Sequence, residues 1–353
     1  MDNGIFQWIA DETVLQDFVS GLPLLLLLLI IAASVALLSK GADWMIDGVV
    51  DLARRTGLPK IVIGATVVSL GTTLPEAFVS VMAAFLGNPG LALGNGVGSI
   101  IADTGLIFGV TCVLVAVPVN RFILNRTGWV QVGSATLLVV IAGVALITAG
   151  SGGEPTLNRW VGAFFLVLLA GYLFITYRWA TQGGELIHEE EISTEEPMPL
   201  SKSWLMVVGG LTLVVAGARV LVPSASEIAI RAGVPEDVIA ATLVAFGTSL
   251  PELMTAIAAI RKGHPEITVG NIVGADVLNV LFVIGAAAVA APLEIPDNFY
   301  FFHFPAMMII LISFRFFISM NKSTFRRWQG AWLLGVYGVY VALQYILNVG
   351  AAH

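Results

Sequence analysis

Four acidic residues, Glu76, Asp103, Glu252 and Asp276, stand inside long apolar stretches that hold no Lys or Arg. In mid-bilayer an acidic side chain costs about 2.5–3.5 kcal/mol, so the four together represent roughly 10–14 kcal/mol that some partner must offset. Neutral acids bonded to one another would be a purely structural solution. Mobile cations, or protons that trade places with them, are the alternative, and the neighbouring residue types favour it. Thr72 lies four residues before Glu76 and Thr248 four before Glu252, which puts hydroxyl and carboxyl on one helical face in both places. Pro75 and Pro251 lack an N–H, so the carbonyls of Gly71 and Gly247 lose their helical partners. Unpaired backbone at membrane depth needs another partner, and a dehydrated cation is one. Asn95, Ser99 and Asp103 form a second stripe at i, i+4 and i+8; further on, Asn271, Ala275 and Asn279 do the same, with Asp276 displaced by one position. Every candidate ligand is an oxygen, which suits hard cations such as Ca²⁺ and Na⁺ rather than Zn²⁺ or Cu⁺.

The elements that must hold these residues are membrane helices. With 57% hydrophobic and 12% charged residues, the chain has too little polar surface to coat a soluble globule. At roughly 20 apolar residues per crossing, its length accommodates about ten spans. They are expected near 22–39, 61–86, 91–117, 130–150 and 159–178, and then near 204–222, 238–260, 267–291, 301–319 and 330–349. The first twenty residues carry Asp2, Asp11, Glu12 and Asp17 but no basic residue, the wrong charge for a secretory leader. Residues 1–20 are therefore expected as a short extracytoplasmic segment, 21–180 as one five-helix unit and 204–353 as another. Between the units, 181–203 carries Glu185, Glu189, Glu190, Glu191, Glu195 and Glu196 and reads as an acidic cytoplasmic linker. Lys40, Asp43, Asp47 and Asp51 follow the first span at helical spacing and are expected as a solvated helix end. Cys112 has no second cysteine to pair with and fills space. The net charge of −7, with 17 scattered Lys and Arg, argues against a nucleic-acid partner. Nothing in the sequence points to an obligate protein partner or a cofactor.

The two units repeat one another. Ile63 to Glu76, IGATVVSLGTTLPE, lies over Ile239 to Glu252, IAATLVAFGTSLPE, at an offset of 176 residues, and the same offset carries GNGVGSIIAD from Gly94 onto GNIVGADVLN from Gly270. Five spans is an odd number, so the second copy must enter the bilayer with opposite polarity, as in inverted-repeat transporters. With the N-terminus outside, only Arg159, Arg219 and Arg231 of the 17 basic residues fall outside. The positive-inside rule then places both termini away from the cytoplasm of a cell membrane. The expected fold is an all-α integral membrane protein of ten transmembrane helices in two inverted five-helix repeats, helices 2 and 7 broken at the ion site.

GTTLPE and GTSLPE, each followed by GNGVGS or GNIVGA, resemble the paired alpha-repeats of the calcium/cation antiporter superfamily, most closely its prokaryotic sodium/calcium exchangers. The resemblance implies spans 2, 3, 7 and 8 around a central site, with spans 1 and 6 sliding across them to alternate access. It implies ligands Thr72, Glu76, Ser99 and Asp103 from the first repeat and Thr248, Ser249, Glu252 and Asn279 from the second. The carbonyls of Ser69 and Ala245 are expected to help hold sodium, and Glu76 and Glu252 to bridge calcium. Four positions depart from the family pattern. Asp103 and Asn279 stand where asparagine and aspartate are usual, so that pair is exchanged. Ala275 replaces a serine, and Asp276 adds a carboxylate where asparagine is common.

The implied function is exchange of Ca²⁺ for Na⁺ across the lipid bilayer by alternating access. The extra Asp276 and the missing serine make a Ca²⁺/H⁺ exchanger the runner-up. A channel would assemble its selectivity ring from several subunits, whereas this repeat completes a site within one chain. An intramembrane metalloprotease would need an HExxH pattern, which the sequence lacks.

Overall fold

The structure, a computed structural model, describes residues 18–56, 60–85, 87–119, 121–149, 153–182, 198–232, 249–321 and 323–346. Its helices are α1 (Leu24–Thr56), α2 (Lys60–Phe85), α3 (Pro89–Leu114), α4 (Arg121–Ala149), α5 (Arg159–Gln182), α6 (Leu200–Arg231), α7 (Leu250–Arg261), α8 (Pro265–Ala290), α9 (Phe299–Met320) and α10 (Arg327–Ile346). Two short strands, β1 (Thr156–Leu157) and β2 (Leu293–Glu294), pair antiparallel and tie the α4–α5 connection to the α8–α9 connection.

Among the described residues, eight helices are long and apolar enough to cross a membrane, and the chain is a predominantly helical membrane protein. α7 and α10 are the two expected spans outside that set. Most of the first half of the expected seventh span falls outside the described residues. The 20-residue α10 carries Arg327, Gln329, Tyr337, Tyr340 and Gln344, which lower its mean hydropathy. α2, α3 and α8 are the most enclosed, with 67–83% of their apolar windows buried against 22–39% for the other five. The polar residues of interest therefore sit on the central helices.

α1 does not stop with its apolar run. It continues to Thr56 because Ala42, Met45, Ile46, Val49, Val50 and Ala53 form a buried face opposite the charges. The expectation of a solvated end fails at Asp51, which is buried and accepts hydrogen bonds from Ser203 Oγ, the Met198 amide and Arg55 Nε. Its neighbour Asp47 receives Lys262 Nζ at 2.7 Å from the end of α7.

Glycine fixes how the helices cross. A Cβ on Gly41 would stand 2.6 Å from the Gly210 carbonyl, and one on Gly210 would stand 2.5 Å from the Gly41 carbonyl. The α1–α6 crossing therefore has backbone on backbone, which only glycine permits. Gly48 faces Ser203 and Gly217 faces Ser34, so the two helices run antiparallel. α8 seats on α2 in the same way, with Gly270 against Ile61 and Gly274 against Ala65 and Ser69. In that pair the numbers rise together and the helices are parallel. α3 instead runs antiparallel to α2, since Ser80 Oγ reaches the Ala92 carbonyl and Asn95 the Glu76 carbonyl. α3 and α8, which carry the repeated GN motif, therefore point in opposite directions.

The 176-residue offset extends to backbone detail. A left-handed glycine precedes each motif helix, Gly87 at φ 77° and Gly263 at φ 76°. Each then switches from α to a wider π-helical turn at the same place, Asp103–Phe108 in α3 and Asn279–Ile284 in α8. Even the strap at the helix start recurs with roles exchanged: Ser80 Oγ donates to the Ala92 carbonyl, and Thr268 Oγ1 to the Ala256 carbonyl.

Candidate ion-binding centre

Five residues of α2 face inward along one stripe of about three turns. Ser69, Thr72, Thr73, Glu76 and Ser80 are all buried, the side chains following the helical period. α2 is not broken at Pro75: the segment Ser69–Phe85 stays helical through it, and the departure from α geometry comes earlier, in a π-helical turn at Gly64–Val68. One missing N–H removes a single bond at Gly71, and the turns on either side hold the helix together. In α7 the described helix starts next to its proline, with Ser249 just before Leu250 and Pro251 in the first turn.

The expected ligands that the structure describes come together from four helices. Glu76 and Glu252 meet side chain to side chain, Thr72 lies against Glu252, and Ser249 faces the Asp103 carboxyl. Ser99 and Asn279 are buried on the adjoining faces of α3 and α8. None of Ser69, Thr72, Glu76, Ser99, Asp103, Ser249, Glu252 and Asn279 is more than 4% exposed. Thr72 Oγ1 lies 3.4 Å from both the Ser69 carbonyl and Asn271 Oδ1, which aligns that carbonyl with the α2–α8 contact. Thr248 and Ala245 lie outside the described residues.

Oxygens with no hydrogen-bond partner among the described residues recur in this cluster: Glu76 Oε2, Glu252 Oε2, Asp103 Oδ1, Asn279 Oδ1, Ser99 Oγ and Ser249 Oγ. A buried polar atom left unpaired costs about 1–3 kcal/mol, and more for a charged group. Two carboxylates in contact add mutual repulsion that a cation between them would remove. Among the described residues, no three His, Cys, Asp or Glu side chains gather as in a resident metal centre. The set is two touching carboxyls with hydroxyls, an amide and a third acid nearby, a weaker cage that suits an ion meant to leave.

Two further groups belong to this neighbourhood and were not picked out by spacing. Thr73 Oγ1 is buried and unpartnered like Ser249 Oγ, and the two residues are 176 apart. Carrying Ser249 back along the repeat would have found it. Gln131, from α4, donates to Asp276 Oδ2 at 2.5 Å beside Thr104. A lone glutamine at the edge of an apolar run, with no mate in the other repeat, gave no such signal.

Helices that bring unpaired oxygens from two motif copies together at membrane depth define an ion-translocating membrane protein. The chain belongs to the sodium/calcium exchanger protein family, whose sequence model matches residues 26–178 and again 202–346. It is 32% identical over 314 residues to the inner membrane protein YrbG of Escherichia coli (strain K12), covering 87% of this chain and 93% of that one. It is 27% identical over 346 residues to the sodium/calcium exchanger MaX1 of Methanosarcina acetivorans, covering 90% and 98%. A solved structure of the sodium-calcium exchanger NCX_Mj, soaked with Na⁺ and Sr²⁺, matches with a TM-score of 0.75 at 27% identity over 91% of this chain and 99% of that one.

Proposed function

We propose that the chain is a secondary active antiporter that exchanges Ca²⁺ for Na⁺ by alternating access. The observation that carries this is the contact of Glu76 with Glu252, one from each repeat, among oxygens that no group among the described residues satisfies. Ca²⁺ bridges the two carboxyls, with Thr72, Thr248, Asp103 and Asn279 around them. Na⁺ takes overlapping positions that use Ser99, Ser249 and the carbonyls of Ser69 and Ala245. Competition for one set of carboxyls couples the fluxes, because the empty centre leaves charge that the bilayer opposes.

In this reading ten helices form two inverted five-helix units, 21–180 and 204–353, joined by the acidic cytoplasmic segment 181–203. Both termini, with residues 1–20, lie outside the cell membrane. α1 and α6 form the moving pair, which fits their shared glycine crossing and their own apolar cluster with the ends of α2 and α7. Asp276 keeps a Ca²⁺/H⁺ exchanger as the second reading, since an extra buried acid is a group that protons could load.

The test is ⁴⁵Ca²⁺ uptake by proteoliposomes under an outward Na⁺ gradient, then under an outward H⁺ gradient without Na⁺. Uptake in the first condition is expected. Uptake confined to the second would replace sodium by protons.

A further inference from the structure

Asp276 does not join the touching carboxyls. Its Oδ2 accepts from Thr104 Oγ1 on α3 and from Gln131 Nε2 on α4, both at 2.5 Å. Gln131 Nε2 also lies 3.4 Å from Thr104 Oγ1, so the three side chains close a triangle between α3, α4 and α8. All three are at most 1% exposed. Two oxygens of this triangle have no partner among the described residues, Asp276 Oδ1 and Gln131 Oε1.

The donors decide what could complete it. Both bonds reach the same carboxyl oxygen, which leaves Oδ1 as the free acceptor. Gln131 Oε1 is a second free oxygen on a side chain already bonded to Asp276, and a small cation takes such oxygens as ligands with no donor required. The charge balance points the same way, because four ionised acids exceed one divalent ion by two charges, one of which an alkali cation would offset, and the helices that carry them have basic residues only at their ends.

We propose that Asp276, Gln131 and Thr104 form a separate site for one desolvated alkali cation beside the exchange centre. The π-helical turn at Asp103–Phe108, which contains Thr104, supplies the local widening such a site needs. The consequence for transport rests on the exchange reading above: an ion held here adds a monovalent dependence that the glutamate pair alone would lack. The binding itself does not rest on that reading.

The experiment counts ²²Na⁺ and, in separate samples, ⁸⁶Rb⁺ bound at saturation by the purified full chain in wild type, Glu76→Gln, Asp276→Asn and the double variant. Asp276→Asn should lower the count of one of the two ions by about one per chain, and by the same amount in the Glu76→Gln background. The ion affected distinguishes a sodium site from a potassium-like one. Equal counts with and without Asp276 for both ions would overturn the proposal. So would a difference that vanishes in the Glu76→Gln background, because Asp276 would then serve the exchange centre. Should Asp276→Asn not fold, Gln131→Leu removes the free Oε1 without changing charge and should weaken that ion about tenfold; native affinity would overturn the proposal. Calcium binding retained by Glu76→Gln would contradict the exchange centre while leaving the Asp276 difference readable.

Discussion

The side-chain amide of Asn95 donates to the Glu76 carbonyl at 3.0 Å, whereas its repeat counterpart Asn271 reaches the Glu252 carbonyl through a relay, Asn271 Nδ2 to Thr255 Oγ1 at 3.4 Å and Thr255 Oγ1 to the carbonyl at 2.9 Å. Asn95 also bonds Ser80 Oγ at 3.0 Å, so one direct short bond, from an amide anchored at Ser80, holds the first glutamate's backbone and two serial ones the second. Asn95→Leu should therefore destabilise the protein by about 1–3 kcal/mol, and Asn271→Leu by less. Thermal melting in detergent reads both. A larger loss for Asn271→Leu would show that the relay is not the weaker strap.

Thr73 and Ser249 make a matched pair of unpaired hydroxyls. Thr73→Val keeps the shape of the side chain and removes the oxygen. If sodium uses these hydroxyls, Thr73→Val and Ser249→Ala should each raise the Na⁺ concentration needed for half-maximal ⁴⁵Ca²⁺ efflux by about threefold to tenfold, since a lost ligand to a cation is worth about 1 kcal/mol or more. Unchanged sodium dependence in both would remove the pair from the site.

The α1–α6 crossing admits no side chain. Gly210→Leu places a Cβ where Gly41 and Met45 backbone atoms stand, at 2.5–2.6 Å. The helices must separate, at a cost of about 1–3 kcal/mol. Gly209→Leu, one position away with nothing within 4 Å of its Cβ, is the control. Melting temperatures should drop for the first and hold for the second; equal behaviour would mean the crossing is not close-packed.

Asp51 fastens the end of α1 to the start of α6 through Ser203, the Met198 amide and Arg55. Asp51→Ala removes the acceptor of the part-buried Met198 amide and the shorter of the buried Ser203 hydroxyl's bonds, at about 1–3 kcal/mol in all. If α1 and α6 move as one body, this variant should slow ⁴⁵Ca²⁺ exchange more than it lowers calcium affinity. A change confined to affinity would detach Asp51 from the motion.

Much of this was legible in the sequence because the chain states its motif twice. The offset of 176 residues located the glutamates, the GN helices and, in the structure, even the start of the two π-helical turns. What it could not supply were relationships without a second copy. Gln131 has no mate, so its bond to Asp276 appears only when α4 is packed against α8. Asp51 looked solvated because the apolar run ends at Leu38, yet helical periodicity continued the buried face of α1 for about four more turns, to Ala53. Pro75 suggested a break where the helix absorbs it, since one proline removes one bond and the surrounding turns keep theirs.

The proposed exchange depends on the meeting of Glu76 and Glu252. Its most direct test is ⁴⁵Ca²⁺ uptake against unlabelled internal Ca²⁺ in proteoliposomes, a self-exchange that needs neither Na⁺ nor H⁺. Glu76→Gln and Glu252→Gln, recovered folded in detergent, should each reduce it about a hundredfold or more, because each removes a charge from the calcium ion at membrane depth. Self-exchange at the wild-type rate in both variants would contradict it.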